Sequence, residues 1–183
     1  WAQRRFEYGT SSASLEARHP GRLAPLRVSP WNAAALGLVA IGQPVVGAVV
    51  TATAAALLAR RLARADMGLD VAGRVVGAGV VADAVAVGHA LRREYWPLGA
   101  LALAASPWSR SARAVAALMV APVVAEWVRE RPELDPLRYT GIRLVADAAY
   151  GSGVIAGAIQ GRTAAPLLPR WRRAGRAAAA PST

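Results

Sequence analysis

The side chains able to do chemistry are few, and most sit inside apolar stretches. Asp70 with Arg74, and Arg143 with Asp147, are four residues apart, a spacing that puts each pair on one helix face. A charge inside an apolar segment is costly and often functional. The ordinary alternative is local neutralisation at an interface or on a solvated face. Asp83 and His89 have no partner at helical spacing, and their six-residue separation does not set them side by side. They therefore make neither a catalytic pair nor a metal site. His19 stands in Arg18-His19-Pro20-Gly21, where a turn is the plain reading. No metal-ligand spacing, phosphate loop, dinucleotide fingerprint or hydrolase elbow occurs. With no cysteine, disulfides, thiolate metal sites and cysteine nucleophiles are excluded. No metal or cofactor is expected in this chain, and it does not read as a complete enzyme.

The elements that hold these residues are apolar and helical. Of 183 residues 55% are hydrophobic, yet only 6% are aromatic, so the apolar character lies in small side chains suited to close helix packing. The net charge of +11 comes entirely from arginine, since lysine is absent. These arginines are scattered at the ends of apolar runs, as at membrane boundaries. They do not form a basic stripe interleaved with stacking aromatics, so nucleic acid is not an expected partner. The chain starts at Trp1 rather than Met and shows no signal-peptide pattern; it reads as a fragment.

Residues 1–28 are polar and basic and are broken by Pro20, Gly21 and Pro25, which suggests a linker or the tail of an upstream domain. Ser29-Pro30 and Asp135-Pro136 both look like helix starts, a capping residue followed by proline in the first turn. Trp31 to Ala59 holds no charge and exceeds the roughly 20 residues one bilayer crossing needs. Gly42-Gln43-Pro44 interrupts it, either as a kink in one crossing or as the turn of a hairpin. The hairpin would keep the basic N-terminal stretch and the Arg60, Arg61, Arg64 cluster on one side, as the positive-inside tendency favours. Its arms would then be re-entrant or interfacial.

Later apolar runs are shorter and carry charges or prolines. Trp31, Trp96, Trp108 and Trp127 lie near segment ends, either as interfacial membrane anchors or as core residues at helix ends. Gly73 with Gly77, and Gly153, Gly157 and Gly161, repeat at the small-xxx-small spacing that lets helix backbones approach. The expected organisation is a basic linker over 1–28, an all-α membrane-associated region of short kinked helices and hairpins over 29–169, and a disordered tail over 170–183.

Two blocks carry a family resemblance. One is Arg4-Arg5-Phe6-Glu7-Tyr8-Gly9-Thr10-Ser11, continuing to Ala17-Arg18-His19-Pro20-Gly21 and Val28-Ser29-Pro30-Trp31. The other is Leu134-Asp135-Pro136-Leu137-Arg138-Tyr139, followed by Asp147-Ala148-Ala149-Tyr150-Gly151 and Pro166-Leu167-Leu168-Pro169. Together they resemble the C-terminal region of the mycofactocin-system glycosyltransferases, membrane-associated family 2 enzymes of actinobacteria. The resemblance implies an absent upstream α/β domain with an Asp-x-Asp metal motif, a catalytic Asp base and a divalent Mg or Mn. It implies an inverting hexosyl transfer of glucose from a nucleotide-sugar donor to a peptide-derived redox cofactor. It implies membrane lipids and the catalytic domain as partners, and a cytoplasmic-membrane location with the catalytic side cytoplasmic.

Many processive family 2 enzymes end their catalytic domain with Gln-x-x-Arg-Trp, which contacts the acceptor or the donor diphosphate. Gln3-Arg4-Arg5-Phe6 matches only in part, because one residue rather than two separates Gln3 from the Arg-aromatic pair. Gln3, Arg4 and Arg5 are the substrate-binding candidates, since forked guanidinium donors suit a diphosphate. A basic linker meeting lipid headgroups is the competing reading. Two further readings of the whole chain stand beside the glycosyltransferase: a small helical membrane protein with a scaffolding role, and a soluble helical bundle appended to an enzyme.

Overall fold

The computed structural model describes residues 1–63 and 69–172; Arg64 and residues 173–183, part of the expected tail, lie outside the described residues. The architecture is all-α: α1 (Ala2–Thr10), α2 (Ser12–Arg18), α3 (Pro30–Ala40), α4 (Pro44–Leu62), α5 (Leu69–Arg92), α6 (Trp96–Ala105), α7 (Arg110–Glu130) and α8 (Pro136–Gln160). A two-residue parallel strand pair, β1 (Arg27–Val28) with β2 (Arg170–Trp171), and a 3-10 turn at Ala165–Leu167 complete it.

The start signals act as read. Pro30 and Pro136 stand in the first turns of α3 and α8. The Asp135 carboxylate accepts from the amides of Leu137 and Arg138 at 3.1 and 3.0 Å, meeting donors a helix leaves unsatisfied. Ser29 caps α3 by its extended backbone alone; its side chain makes no capping bond.

The interruption at Gly42–Pro44 is the turn of a hairpin. Gly42 takes a φ of 83°, a conformation glycine adopts without strain, and α3 and α4 pack together. A Cβ at Gly47 would press on the Ala35 carbonyl at 2.8 Å, so the arms are held close by the absence of a side chain. The arms are unequal. α4 runs past Ala59 through Arg60 and Arg61 to reach 19 residues, about 29 Å at 1.5 Å per residue, which matches a hydrocarbon core of about 30 Å. α3, with 11 residues, does not.

Other helices are longer than the charge-interrupted runs suggested. α5, α7 and α8 have 24, 21 and 25 residues. Proline does not break α7, although Pro122 removes one N–H from its ladder. The carbonyl so deprived is that of Leu118, four residues back, and it faces Gly88 of α5, where a Cβ would collide with it. Close approach of α5 fills the space beside the missing bond. Among the described residues four helices (α4, α5, α7 and α8) are long and apolar enough to cross a membrane. Their large apolar side chains face outward, among them Val45, Val49, Val75, Val81, Val145 and Ile159, while the buried core is mostly alanine with Met119, Val123 and Val154.

Residues 1–28 hold two short helices that pack on α8. Phe6 and Gly9 meet Gly153, and Thr10 meets Gly157, so α1 and α8 run in the same sense with backbones nearly touching. A Cβ on Gly9, Gly153 or Gly157 would strike the carbonyl of Tyr150, Phe6 or Thr10 respectively. Gly153 and Gly157 of the glycine repeat thus serve helix packing, as their spacing implied, with a short N-terminal helix as the partner. Gly73 and Gly77 meet nothing.

Candidate functional site

α8 carries Tyr139, Arg143, Asp147 and Tyr150 at helical spacing, so one face of an otherwise apolar helix is polar. That face meets the C-terminal ends of α5 and α7 and the polar side of α1. Glu126 of α7 receives Arg143 through both oxygens at 2.5 and 2.7 Å, and the Tyr139 hydroxyl donates to it at 3.0 Å. Asp147 takes Arg92, the last residue of α5, at 3.2 Å. The expected Arg143–Asp147 pair therefore does not form; each member is claimed by a facing helix. Asp70–Arg74, by contrast, pairs at 2.8 Å as its spacing implied. The difference is one of surroundings: Arg74 and Asp70 are exposed with each other as neighbours, whereas Arg143 and Asp147 face charged groups on α7 and α5.

Arg92 also places a guanidinium nitrogen 2.6 Å from His89 Nδ1. Arg93 lies over the ring of Tyr150, 4.2 Å from its centroid, a cation–π arrangement that fixes the guanidinium plane. Its nearest carboxylate, Glu94, stands 3.7 Å away, beyond hydrogen-bond reach. Burial pushes the Glu94 carboxyl up from its ordinary value, against the pull of Arg93. These groups enclose a cavity of about 250 Å³. Arg5 and Tyr8 come to it from α1, His89 and Arg93 from the end of α5, and Arg143, Asp147 and Tyr150 from α8. The cavity can hold an anion or a hydrogen-bonding polar molecule.

Of the three substrate-binding candidates, only Arg5 lines this cavity. Gln3 is exposed and donates to Glu7 within α1 at 3.0 Å, and Arg4 is exposed. Arg93, Glu126, Tyr8 and Tyr150 were not singled out in the sequence. The four-residue polar stripe on α8 was the signal available for Tyr150; the other three lie on other segments.

A second polar centre surrounds Asp83, which is fully buried in α5. Its carboxylate accepts from the Ser29 amide at 3.0 Å and the Asn32 side chain at 2.7 Å, and pairs with Arg172 at 2.5 Å. The partners absent at helical spacing are supplied from α3 and from the segment after β2, which ties Arg170–Arg172 into the fold. A third, Glu16, clasps the His19–Leu23 loop through the amides of Gly21 at 2.5 Å and Leu23 at 3.1 Å, with Arg170 at 3.5 Å. The Gly21 amide, and after it Leu23 and the arginines, holds the Glu16 carboxyl below its ordinary value against the opposing effect of burial. His19 is an exposed turn residue at the end of α2.

Trp31 and Trp108 are largely exposed, 47% and 84%. Trp96 is half-buried beside Gly151, and Trp127 is half-buried with its indole donating to the Leu134 carbonyl at 2.8 Å. Among the described residues no three of His, Asp and Glu cluster as metal ligands would.

Fold and site define an all-helical chain with four helices of membrane-crossing length and apolarity, enclosing an arginine-lined polar cavity. Its sequence is similar to pre-mycofactocin glycosyltransferase of Mycobacterium tuberculosis, in strains CDC 1551 / Oshkosh and ATCC 25618 / H37Rv, at 35% identity over 94% of this chain. The resemblance read from the Arg4–Ser11 and Leu134–Tyr139 blocks is therefore present along nearly the whole sequence. The chain spans 38% of the length of those relatives. No family model matches it, and no solved structure matches its fold.

Proposed function

We propose that this chain is the membrane-associated C-terminal part of a family 2 glycosyltransferase that adds glucose units from a nucleotide-sugar to the mycofactocin precursor. The observation that carries the reading is the 35% identity to pre-mycofactocin glycosyltransferase over 94% of this chain. The transfer is inverting, and its chemistry belongs to an α/β domain outside these residues. An Asp-x-Asp motif of that domain would hold a divalent Mg or Mn, which would supply charge neutralisation for a leaving diphosphate, and an Asp there would serve as the base toward the acceptor hydroxyl.

In this reading α4, α5, α7 and α8 lie in the cytoplasmic membrane, because four long helices with outward apolar side chains find a bilayer a better solvent than water. Trp31 and Trp108, the two most exposed of the four candidate anchors, sit at its interfaces, with Trp96 and Trp127 nearer the protein interior. Arg5 faces the acceptor or diphosphate side, and the catalytic side is cytoplasmic.

The test is transfer by membranes containing the product of the complete reading frame, supplied with labelled nucleotide-glucose and mycofactocin precursor. Glucosylated precursor is the expected product. A reading frame without an Asp-x-Asp domain, or membranes that retain the protein but bind no donor, would replace this reading with a scaffolding membrane protein. Carbonate extraction tests the bilayer placement separately: the protein stays in the pellet, and release into the soluble fraction overturns it.

A further inference from the structure

We propose that the cavity between α1, the end of α5 and α8 is a phosphate-ester site, gripped by Arg5, Arg93 and Arg143. This assignment rests on the geometry of the cavity and does not depend on the glycosyltransferase reading.

Charge is the first argument. Four arginines (Arg5, Arg92, Arg93 and Arg143) face or flank the cavity, against Glu94, Glu126 and Asp147. Glu126 is taken by Arg143 and Tyr139, and Asp147 by Arg92. Glu94 stands 3.7 Å from Arg93, beyond hydrogen-bond reach. Among the described residues no carboxylate pairs with Arg5. Arg5 and Arg93 thus bring positive charge to the cavity wall without an acceptor at hydrogen-bond distance.

Unmet donors are the second argument. The Nε atoms of Arg93 and Arg143, two of the arginines that line the cavity, are buried with no hydrogen-bond partner. Buried guanidinium N–H groups are nearly always satisfied, so Arg93 and Arg143 each keep donor capacity that the protein itself does not use.

Shape selects the ligand. The three gripping arginines come from three different elements, so their donors approach from three directions. A planar carboxylate accepts one fork, whereas a phosphate presents oxygens tetrahedrally and takes several forks together. Tyr150 holds the Arg93 plane, so this donor is already oriented. A volume of about 250 Å³ corresponds to roughly eight waters at ~30 Å³ each, room for a phosphate and a glycerol-sized substituent. Asp147 and Tyr8, also on the wall, suit hydroxyls on that substituent. A soluble phosphate ester and a phospholipid headgroup share this chemistry.

The experiment uses the full chain in a phosphate-free maltoside detergent, with two probes. Glycerol 3-phosphate is titrated by calorimetry, and phosphatidic acid is added to the micelles and counted on the protein by native mass spectrometry. Saturable one-to-one binding is expected with at least one probe. Binding of the lipid alone identifies a headgroup site; binding of glycerol 3-phosphate identifies a soluble ester. Arg93→Gln and Arg5→Gln each weaken binding about tenfold or more, as loss of a charge-assisted fork requires, whereas Arg93→Lys keeps part of it. Arg74→Gln, in the exposed α5 ion pair, leaves it unchanged. Because Arg5 is exposed on α1, its variant reads the site even where Arg93→Gln fails to fold. Absence of saturable binding with both probes, or equal binding by wild type and Arg5→Gln, overturns the assignment. No sugar donor is present, so the result is separate from the transfer assay.

Discussion

Arg92, the last residue of α5, stands 3.2 Å from Asp147 in the middle of α8, with 1% of the arginine side chain exposed and 19% of the aspartate. The pair joins two helices of membrane-crossing length at a depth where neither charge is well solvated. A buried pair of this kind adds little against an apolar isostere, but breaking it strands a charge.

Asp147→Ala therefore destabilises the fold by about 3 kcal/mol or more, because Arg92 keeps its charge and loses its partner. The double variant Arg92→Met, Asp147→Leu recovers most of that loss. Unfolding by sodium dodecyl sulfate in mixed micelles, followed by circular dichroism, measures both. Equal destabilisation by single and double variants would show that the pair contributes attraction beyond its desolvation.

Packing of α1 on α8 yields the next expectation. Gly153→Val places atoms where the Phe6 carbonyl already sits, and such overpacking costs about 1–3 kcal/mol. α1 responds by lifting away, since a nine-residue helix has little stability of its own. Trypsin cleavage at Arg4 and Arg5 then accelerates relative to wild type, while Gly73→Val, at an open position, leaves it unchanged.

How far the sequence revealed this arrangement varies from residue to residue. Local signals were read directly: proline after a capping residue marked the starts of α3 and α8, Gly42 with Pro44 marked an interruption that was either a kink or a hairpin turn, and Asp70 with Arg74 marked an i,i+4 pair. What escaped was long-range. Arg143 and Asp147 have the right spacing for each other, and only the positions of α5 and α7 reveal that each has a better partner. Residues 1–28 look like linker because α1 has little apolar surface; it is held by close backbone approach to glycines, which leaves no hydrophobic stripe to read. The cavity joins residues from α1, α5 and α8, so of its walls only Arg5 was marked for ligand contact, and through a resemblance rather than a spacing.

Acid should loosen the Glu16 clasp. The folded carboxyl titrates below its ordinary value of 4.5, chiefly because the Gly21 amide donates to its charged form. A lowered carboxylate pKa contributes stability that is present above the unfolded value and lost as pH falls through the folded one. Amide exchange at Gly21 and Leu23, corrected for intrinsic rates, therefore speeds up as pH drops from about 4.5 through that lower value. Glu16→Gln exchanges faster at neutral pH and shows no such acid step. An acid step retained in the variant would assign the loosening to another group.

Asp83 is the strictest case, because it is fully buried and serves three donors from two distant segments. Removing its carboxylate in Asp83→Ala leaves the Ser29 amide, the Asn32 amide group and the Arg172 guanidinium without their acceptor. Each orphaned neutral donor costs about 1–3 kcal/mol and the charge more, so the expected loss is about 3 kcal/mol or greater, with the discount that Arg172 is half-exposed and can turn to water. Asp83→Asn keeps one acceptor oxygen and loses the ion pair, and so falls between wild type and Asp83→Ala. Asp83→Ala and Arg172→Gln differ in where they act. In Asp83→Ala the start of α3 loosens, seen as faster amide exchange at Ser29, and the β1–β2 pairing follows because Arg172 no longer holds it against α5. Arg172→Gln should release the strand pair while leaving Ser29 protected, since Asp83 then keeps its two neutral donors. Loss of protection at Ser29 in Arg172→Gln would mean that the strand pair, and not Asp83, holds α3 in place.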